Sequence, residues 1–339
     1  MRIPLLKRTC PSLAIGFGLA IAAHGAQAIT APGYIVTEIA LPDYAQGDLV
    51  VADGALFVGV GPGFSGAAQS VVRIDGGGTT VLADGFNALS GFAFDAVNDR
   101  LLVTDNADEA PGSETGDTLY GIASPSGRSG TPLRARDIEL LPAGSVPGIS
   151  DIVLDPGDPT GNRVFVTDAS EGSPPAGRVL SIDIAAASRP AVQSGLGYAS
   201  GLAANADALF VGDVNGLTFE GSVSSVALPS ATGTPVPIAG GLGGLYDLEL
   251  EAAGSLLATA SGDLLRIDPA TGTTTTVASG FGFATGLFEA GGTIWVLDGG
   301  FPGAPKVLRL TEAPEPARAL AGAVALAALA ITCRRGERR

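Results

Sequence analysis

The chain has 339 residues and a formal charge of −15, yet only two cysteines and one histidine. Cys10, His24 and Cys333 all lie near its ends, so residues 29–312 carry no cysteine, histidine or methionine. That excludes a disulfide framework, a Cys nucleophile, a Ser-His-Asp triad and a zinc site built from His or Cys.

The same 284-residue body holds 32 Asp and Glu against 11 Lys and Arg, for a net −21. Such a balance disfavours nucleic acid as a partner, because phosphate binding needs clustered cations. Acid–base chemistry would rest on carboxylates, tyrosines or Lys306.

At the N-terminus, Arg2, Lys7 and Arg8 precede an apolar stretch of about 11 residues, Leu13 to Ala23, and then Ala26-Gln27-Ala28. A basic start, a short apolar core and small residues flanking a polar one predict a secretory signal over 1–28, cleaved after Ala28. The apolar core is too short for a spanning helix, which needs about 20 residues.

The body reads as strands. Glycine is abundant, Val, Ile, Leu, Phe and Thr recur in short runs, and no stretch keeps a helical period. Repeats are visible. Ala55 to Gly61 (ALFVGVG) returns as Ala208 to Val214 (ALFVGDV). Arg73 to Phe86 returns, with two residues inserted, as Arg266 to Phe281. Leu101 to Asn106 (LLVTDN) parallels Val164 to Ala169 (VFVTDA).

These define a four-strand unit whose first strands begin near Gly47, Gly91, Asp151, Gly201, Asp247 and Gly286, at gaps of 44, 60, 50, 46 and 39 residues. This is propeller spacing. The sixth unit lacks a fourth strand, and a spare one, Tyr34 to Ile39, stands at the start. The expected fold is therefore an all-β, six-bladed propeller over 29–312, with the N-terminal strand completing the last blade. A β-sandwich or two small β-domains is the alternative. The Ser200 to Asp213 pattern resembles the blades of NHL and SMP-30/gluconolactonase propellers.

After the body come Pro314-Glu315-Pro316, an apolar run over 319–333 and the arginines Arg334, Arg335, Arg338 and Arg339. Basic residues stay cytoplasmic, so this run is read as a single transmembrane helix with the body outside. Residues 313–339 resemble a PEP-CTERM sorting domain. The resemblance implies processing by exosortase in Gram-negative bacteria, with signal peptidase as the other processing partner. It also implies passage through the inner membrane, release or attachment at the cell surface, and an exopolysaccharide or surface-protein setting.

Matched strand ends carry Asp105 with Asn106, Asp168, Asp213 with Asn215, and Asp298. First strands open on Ser90, Asp151, Ser200, Asp247 and Thr285. A ring of such oxygens suits Ca²⁺ or Mg²⁺, and Asp105, Asp168, Asp213, Asp247 and Asp298 are the candidate metal ligands. The opposing reading is that Asp and Asn at strand ends cap turns. The acidic loop from Asp105 through Asp117 lacks EF-hand spacing and reads as a solvated loop. Trp295 and Tyr246 are candidates for stacking on a sugar, with core packing as the default.

The SMP-30 resemblance implies a divalent metal held by Glu, Asn and Asp, but the first unit reads Gln46-Gly47-Asp48 and supplies no Glu. The sequence thus favours an exported, surface-sorted propeller that binds a ligand. A metal-dependent hydrolase or lactonase using channel-mouth carboxylates is the alternative.

Overall fold

Short apolar runs separated by turn residues build strands, and strands buried on both faces must pack sheet against sheet. The computed structural model describes residues 28–62, 69–106, 116–169, 177–228, 234–299 and 303–314. Its strands form six sheets, antiparallel except for one two-residue pairing in blade 1, arranged as the blades of a propeller. The innermost strands are Ala45–Ala52, Leu89–Asp95, Ile149–Leu154, Tyr198–Ala204, Leu245–Leu250 and Ala284–Ala290. Each packs on the next, and the sixth packs on the first, closing the ring.

Closure uses the spare strand. Tyr34–Ala40 pairs antiparallel with Lys306–Glu312, from Tyr34 opposite Glu312 to Ala40 opposite Lys306. The Lys306 ammonium reaches Glu38 at 2.8 Å. Arg266 of blade 5 forms two hydrogen bonds to Glu251 and donates a third, of 3.2 Å, to the Tyr34 hydroxyl, tying the N-terminal strand to its neighbour.

The second unit departs from the four-strand expectation. Its sheet has three regular strands, and the long connection that follows is used elsewhere. Leu133–Arg134 adds a parallel strand to blade 1, while residues 138–140 run beside Thr118–Ala123 through backbone bonds between Gly121 and Ile138 and between Leu140 and Leu119. The 60-residue gap in the repeat therefore reflects a fourth strand lent to the neighbouring blade.

Tight hairpins join the first two strands of blades 1 and 6 and the second and third strands of blade 5. Asp53-Gly54, Ser261-Gly262 and Gly291-Gly292 all have positive φ at both turn residues, as a type I′ turn demands. Six apolar clusters fill the six blade interfaces. Phe57, Phe86, Phe92 and Tyr120 dominate the first, where the Phe86 and Tyr120 rings meet edge to face at 5.1 Å. Trp295 belongs to the core between blades 6 and 1, tilted against Phe288 at 5.9 Å. It therefore packs and does not face a ligand site.

The described residues contain no α-helix, only a 3-10 turn at Ala135–Asp137, and no helix long and apolar enough to cross a membrane. Ala26 with the rest of the expected signal core, the acidic loop over 107–115, and the tail from Glu315 and Pro316 through the 319–333 helix to Arg334, Arg335, Arg338 and Arg339 lie outside the described residues. Only Ala28 and Pro314 of the processing motifs fall within them.

Candidate functional site

All six innermost strands break register with their neighbour near their start: between Ala45 and Leu49, Leu89 and Phe92, Ile149 and Ile152, Ala199 and Leu202, Leu245 and Asp247, and Ala284 and Gly286. A bulge takes its residues out of the ladder and re-aims their side chains. Here it does so six times around one axis. The bulged pairs are Gly47-Asp48, Ser90-Gly91, Ser150-Asp151, Ser200-Gly201, Tyr246-Asp247 and Thr285-Gly286. The second member alternates Asp, Gly, Asp, Gly, Asp, Gly.

The alternation has a steric cause. A Cβ on Gly91 would lie 2.9 Å from Asp151 Cα, one on Gly201 2.7 Å from the Leu248 nitrogen, and one on Gly286 2.7 Å from Asp48 Cα. Each glycine therefore admits the backbone of the neighbouring aspartate blade. Each aspartate then serves unpaired N–H groups on the channel side. Asp48 accepts from Leu49 at 2.6 Å and from Leu287 of blade 6 at 3.2 Å. Asp151 accepts from Ile152 at 2.7 Å and from Leu202 of blade 4 at 2.5 Å. Asp247 accepts from Leu248 at 2.7 Å through Oδ1, and its carboxyl is hydrogen-bonded to that of Asp48.

The repeated Val-Thr-Asp of the second strands completes the arrangement. The buried Thr104 and Thr167 hydroxyls accept the N–H groups of Gly91 and Asp151, at 2.6 and 2.7 Å, replacing the ladder bonds that the bulge removed. Thr104 also donates across the blade interface to the Ser150 carbonyl at 2.8 Å.

Asp48, Asp151 and Asp247 are thus gathered on the axis with no basic side chain among the residues lining it. Burial raises the Asp48 carboxyl to about 7. Burial first, and then the neighbouring Asp48 charge, hold Asp151 and Asp247 well above the usual carboxylate range. The Asp48 and Asp247 carboxyls interact directly, so the pair favours holding a shared proton. Glu249, one turn of the pleat farther along blade 5, is raised in the same way by burial and by Asp48.

The three aspartates separate two cavities. On the side where the inner strands begin, a chamber of about 40 Å³ is lined by Gly47, Ser90, Ser150, Ser200, Tyr246 and Thr285. The Ser200 and Thr285 hydroxyls are buried there without a hydrogen-bond partner. The volume accommodates about one water, whose share of liquid volume is about 30 Å³. Tyr246 is 38% exposed at this mouth and meets Phe283 edge to face at 5.1 Å. Tyr198 is 43% exposed beside it, while its hydroxyl end is enclosed and interacts with Ser150 and Asn106. On the other side, a cavity of about 280 Å³ runs between apolar walls.

The five sequence-selected aspartates are not brought together. Asp105 accepts the N–H groups of Asn87 and Ala88, at 2.9 and 2.6 Å, and burial raises its carboxyl. Asp298 does the same for Gly282 and Phe283, at 3.1 and 2.9 Å. Asp213 accepts from Tyr198 at 3.0 Å, and Asp168 takes the Arg178 guanidinium at 2.6 Å. Asp105, Asp213 and Asp298 order the segments that lead into the inner strands, while Asp168 ties two adjacent strands of blade 3. Asp247 alone sits on the axis, joined by Asp151 and by Asp48. In the sequence Asp48 stands only in Gln46-Gly47-Asp48, where the resemblance calls for a glutamate. Its signal was the Asp/Gly alternation at the six bulges, which is visible only once the six inner strands are aligned.

The metal implied by the SMP-30 resemblance does not fit these residues. The mouth offers hydroxyls and a phenol, and the carboxylates beneath already accept backbone N–H groups. Among the described residues no three Asp, Glu, His or Cys side chains are arranged to hold a metal ion. No step is therefore assigned to a metal here.

The chain matches no protein-family model and no curated protein sequence. Solved structures are similar in fold. A gluconolactonase from Xanthomonas campestris superposes with a TM-score of 0.59 at 14% identity, over 82% of this chain and 89% of that one. A luciferin-regenerating enzyme gives 0.58 at 12%, over 82% and 95%. A calcium-binding regucalcin from Agrobacterium tumefaciens gives 0.54 at 12%, over 80% and 93%. The chain is thus a six-bladed β-propeller whose structural neighbours are of the SMP-30/gluconolactonase kind.

Proposed function

We propose that the axial mouth binds a small polyhydroxylated ring, a sugar or sugar lactone. The observation that carries this reading is the pairing of two exposed aromatic rings, Tyr198 and Tyr246, the latter backed by the half-buried Phe283, with buried Ser200 and Thr285 hydroxyls that lack partners. Aromatic faces pack on the apolar face of a sugar ring, and orphaned hydroxyls are satisfied by its hydroxyl groups or by a bridging water. Thermal-shift and calorimetric titrations with a panel of monosaccharides and aldonolactones test it. Tyr246→Ala and Ser200→Ala are each expected to weaken binding by about tenfold, a loss of about 1.4 kcal/mol. No response to any sugar, or a response indifferent to both variants, overturns the reading.

A second reading is hydrolysis of a cyclic ester, favoured by the proton-sharing Asp48 and Asp247 pair. Water in the chamber would add to the carbonyl carbon and give its proton to the ionised carboxylate. The protonated partner would donate to the carbonyl oxygen. Collapse would break the ring C–O bond, and the leaving alkoxide would regain a proton. The gluconolactonase neighbour supports this substrate class by fold. Hydrolysis that persists in EDTA and is lost in Asp247→Asn is the expected result, and dependence on added Ca²⁺ is the contrary one.

We further propose that this site is delivered outside the cell, on the strength of the signal over 1–28 and the tail over 313–339. Replacing Glu315, or deleting 334–339, is expected to leave an unprocessed, membrane-retained precursor on immunoblots of fractionated cells. Unchanged processing and location would refute it.

A further inference from the structure

Four of the six inner-strand bulges open on a short hydroxyl side chain: Ser90, Ser150, Ser200 and Thr285. Two of these have partners within the ring. In blade 2, Ser90 Oγ meets Thr104 Oγ1 at 2.8 Å and donates to the Ile149 carbonyl at 3.3 Å. In blade 3, the Ser150 hydroxyl interacts with the Tyr198 phenol. Blades 4 and 6 change the facing strand. Leu101–Asp105 reads LLVTD, whereas its counterparts Leu209–Asp213 and Ile294–Asp298 read LFVGD and IWVLD. Asp105, Asp213 and Asp298 hold the same register position, opposite Leu89, Ala199 and Ala284. Gly212 and Leu297 therefore stand where blade 2 has Thr104.

Ser200 and Thr285 thus lose the partner that Ser90 keeps. They are 4% and 9% exposed, and both hydroxyls are buried without a hydrogen-bond partner. Blade 4 cannot regain a threonine: a Cβ on Gly212 would lie 3.2 Å from Ser200 Oγ but 2.4 Å from Leu245 Cδ2. A buried hydroxyl left unpaired forfeits its hydration, so both positions call for a partner from outside the chain. They flank Tyr246 and Asp247 of blade 5, and all four line the same chamber.

We propose that the mouth chamber is the binding site of a single ordered water, shared by the Ser200 and Thr285 hydroxyls. The volume of about 40 Å³ matches one water, whose share of liquid volume is about 30 Å³, and is too small for two. A buried water needs about two to four polar partners. The two hydroxyls supply the first pair, each able to donate or accept. The carboxyls of Asp48, Asp151 and Asp247, which also line the chamber, offer the rest.

If the mouth binds a sugar, the water has a second role, which rests on that reading. A sugar ring does not fit in about 40 Å³, so it stays at the level of Tyr198 and Tyr246. The water then forms the floor beneath it and relays Ser200 and Thr285 to a ring hydroxyl. Ser200 and Thr285 are positioning residues in this arrangement. They act as one unit, because loss of either hydroxyl releases the water they share.

A high-resolution crystal structure of the ligand-free protein tests the site. Expected is one water oxygen about 2.8 Å from both Ser200 Oγ and Thr285 Oγ1. No density at that point overturns the proposal. Ser200→Ala, Thr285→Val and the double variant form a cycle that tests the sharing. Each single change is expected to lower the melting temperature by about 2–4 °C, and the double change to lower it no further. A rise in either single variant would mean dry, unpaired hydroxyls, and additive losses would mean separate partners. Either result overturns the shared water. With glucose as probe, both single variants and the double variant are expected to lose affinity by the same factor of about ten. Additive losses of affinity would place the sugar's own hydroxyls in the chamber and overturn the relay. A wild-type protein that binds no glucose would remove the relay, while the density and the melting cycle still decide the water.

Discussion

Gly201→Ala is expected to lower the melting temperature by about 5–10 °C, with a ligand-free body that still folds. Its new Cβ would lie 2.7 Å from the Leu248 nitrogen and 2.8 Å from the Asp247 carbonyl carbon. Both are backbone atoms, fixed by the blade 5 ladder, so no flexible side chain can yield. Overpacking of this kind costs about 1–3 kcal/mol, and more where backbone must move. Gly91→Ala and Gly286→Ala meet the same geometry against Asp151 and Asp48 and are expected to behave alike. Gly76→Ala faces open space and is the control, expected to stay within about 1 °C of wild type. Differential scanning calorimetry measures all four. A Gly201→Ala protein as stable as the Gly76 variant would mean that the inner strands do not nest as described.

The axial carboxyls give the second large effect, in stability against pH. Their folded values lie above the ordinary carboxylate value, so between that value and their own the folded state holds protons that the unfolded state has lost. Stability must therefore fall as pH rises from about 4 through about 7 and beyond, the reverse of the usual acid-denaturation slope. Asp158 and Asp268, lowered by turn hydrogen bonds, act oppositely at the acid end, which places the maximum near about pH 5.

Asp247→Asn isolates the axial contribution. The amide keeps the Oδ1 acceptor for Leu248 and presents a neutral donor beside Asp48. It is expected to raise the melting temperature by roughly 5 °C near pH 8, leave it little changed near pH 5, and flatten the slope between them. A loss of stability at every pH would show that the carboxylate charge itself is needed.

Much of the architecture was legible in the chain. The recurring ALFVG and RID segments mark homologous strands, and the unmatched Tyr34 to Ile39 strand locates the seam of the ring. Six blades and an N-terminal closing strand follow from them. The fourth strand of the second unit was not legible. Leu133–Arg134 pairs in parallel with blade 1, a tertiary choice that no local periodicity encodes.

The site was half legible. Asp105, Asp213 and Asp298 recur because the same loop must be capped in several blades, so their repetition signalled turn chemistry. Asp151 and Asp247 open their first strands as Ser90, Ser200 and Thr285 do, so the sequence presents them as one set. The bulges divide that set into two levels, hydroxyls at the mouth and carboxyls beneath. Asp48 is not legible from its own unit, because nothing in Gln46-Gly47-Asp48 marks an axial position. Its partner glycine, Gly286, lies 238 positions away and becomes its neighbour only on ring closure.

The central claim is that three aspartates on the propeller axis hold protons near neutral pH and thereby shape both cavities. Carboxyl-detected NMR titration of the ligand-free protein tests it most directly. The account predicts that Asp48 titrates near about 7 and that Asp151 and Asp247 titrate well above the ordinary carboxylate range, with coupled curves. Three independent midpoints near the ordinary value of about 3.9 would contradict it.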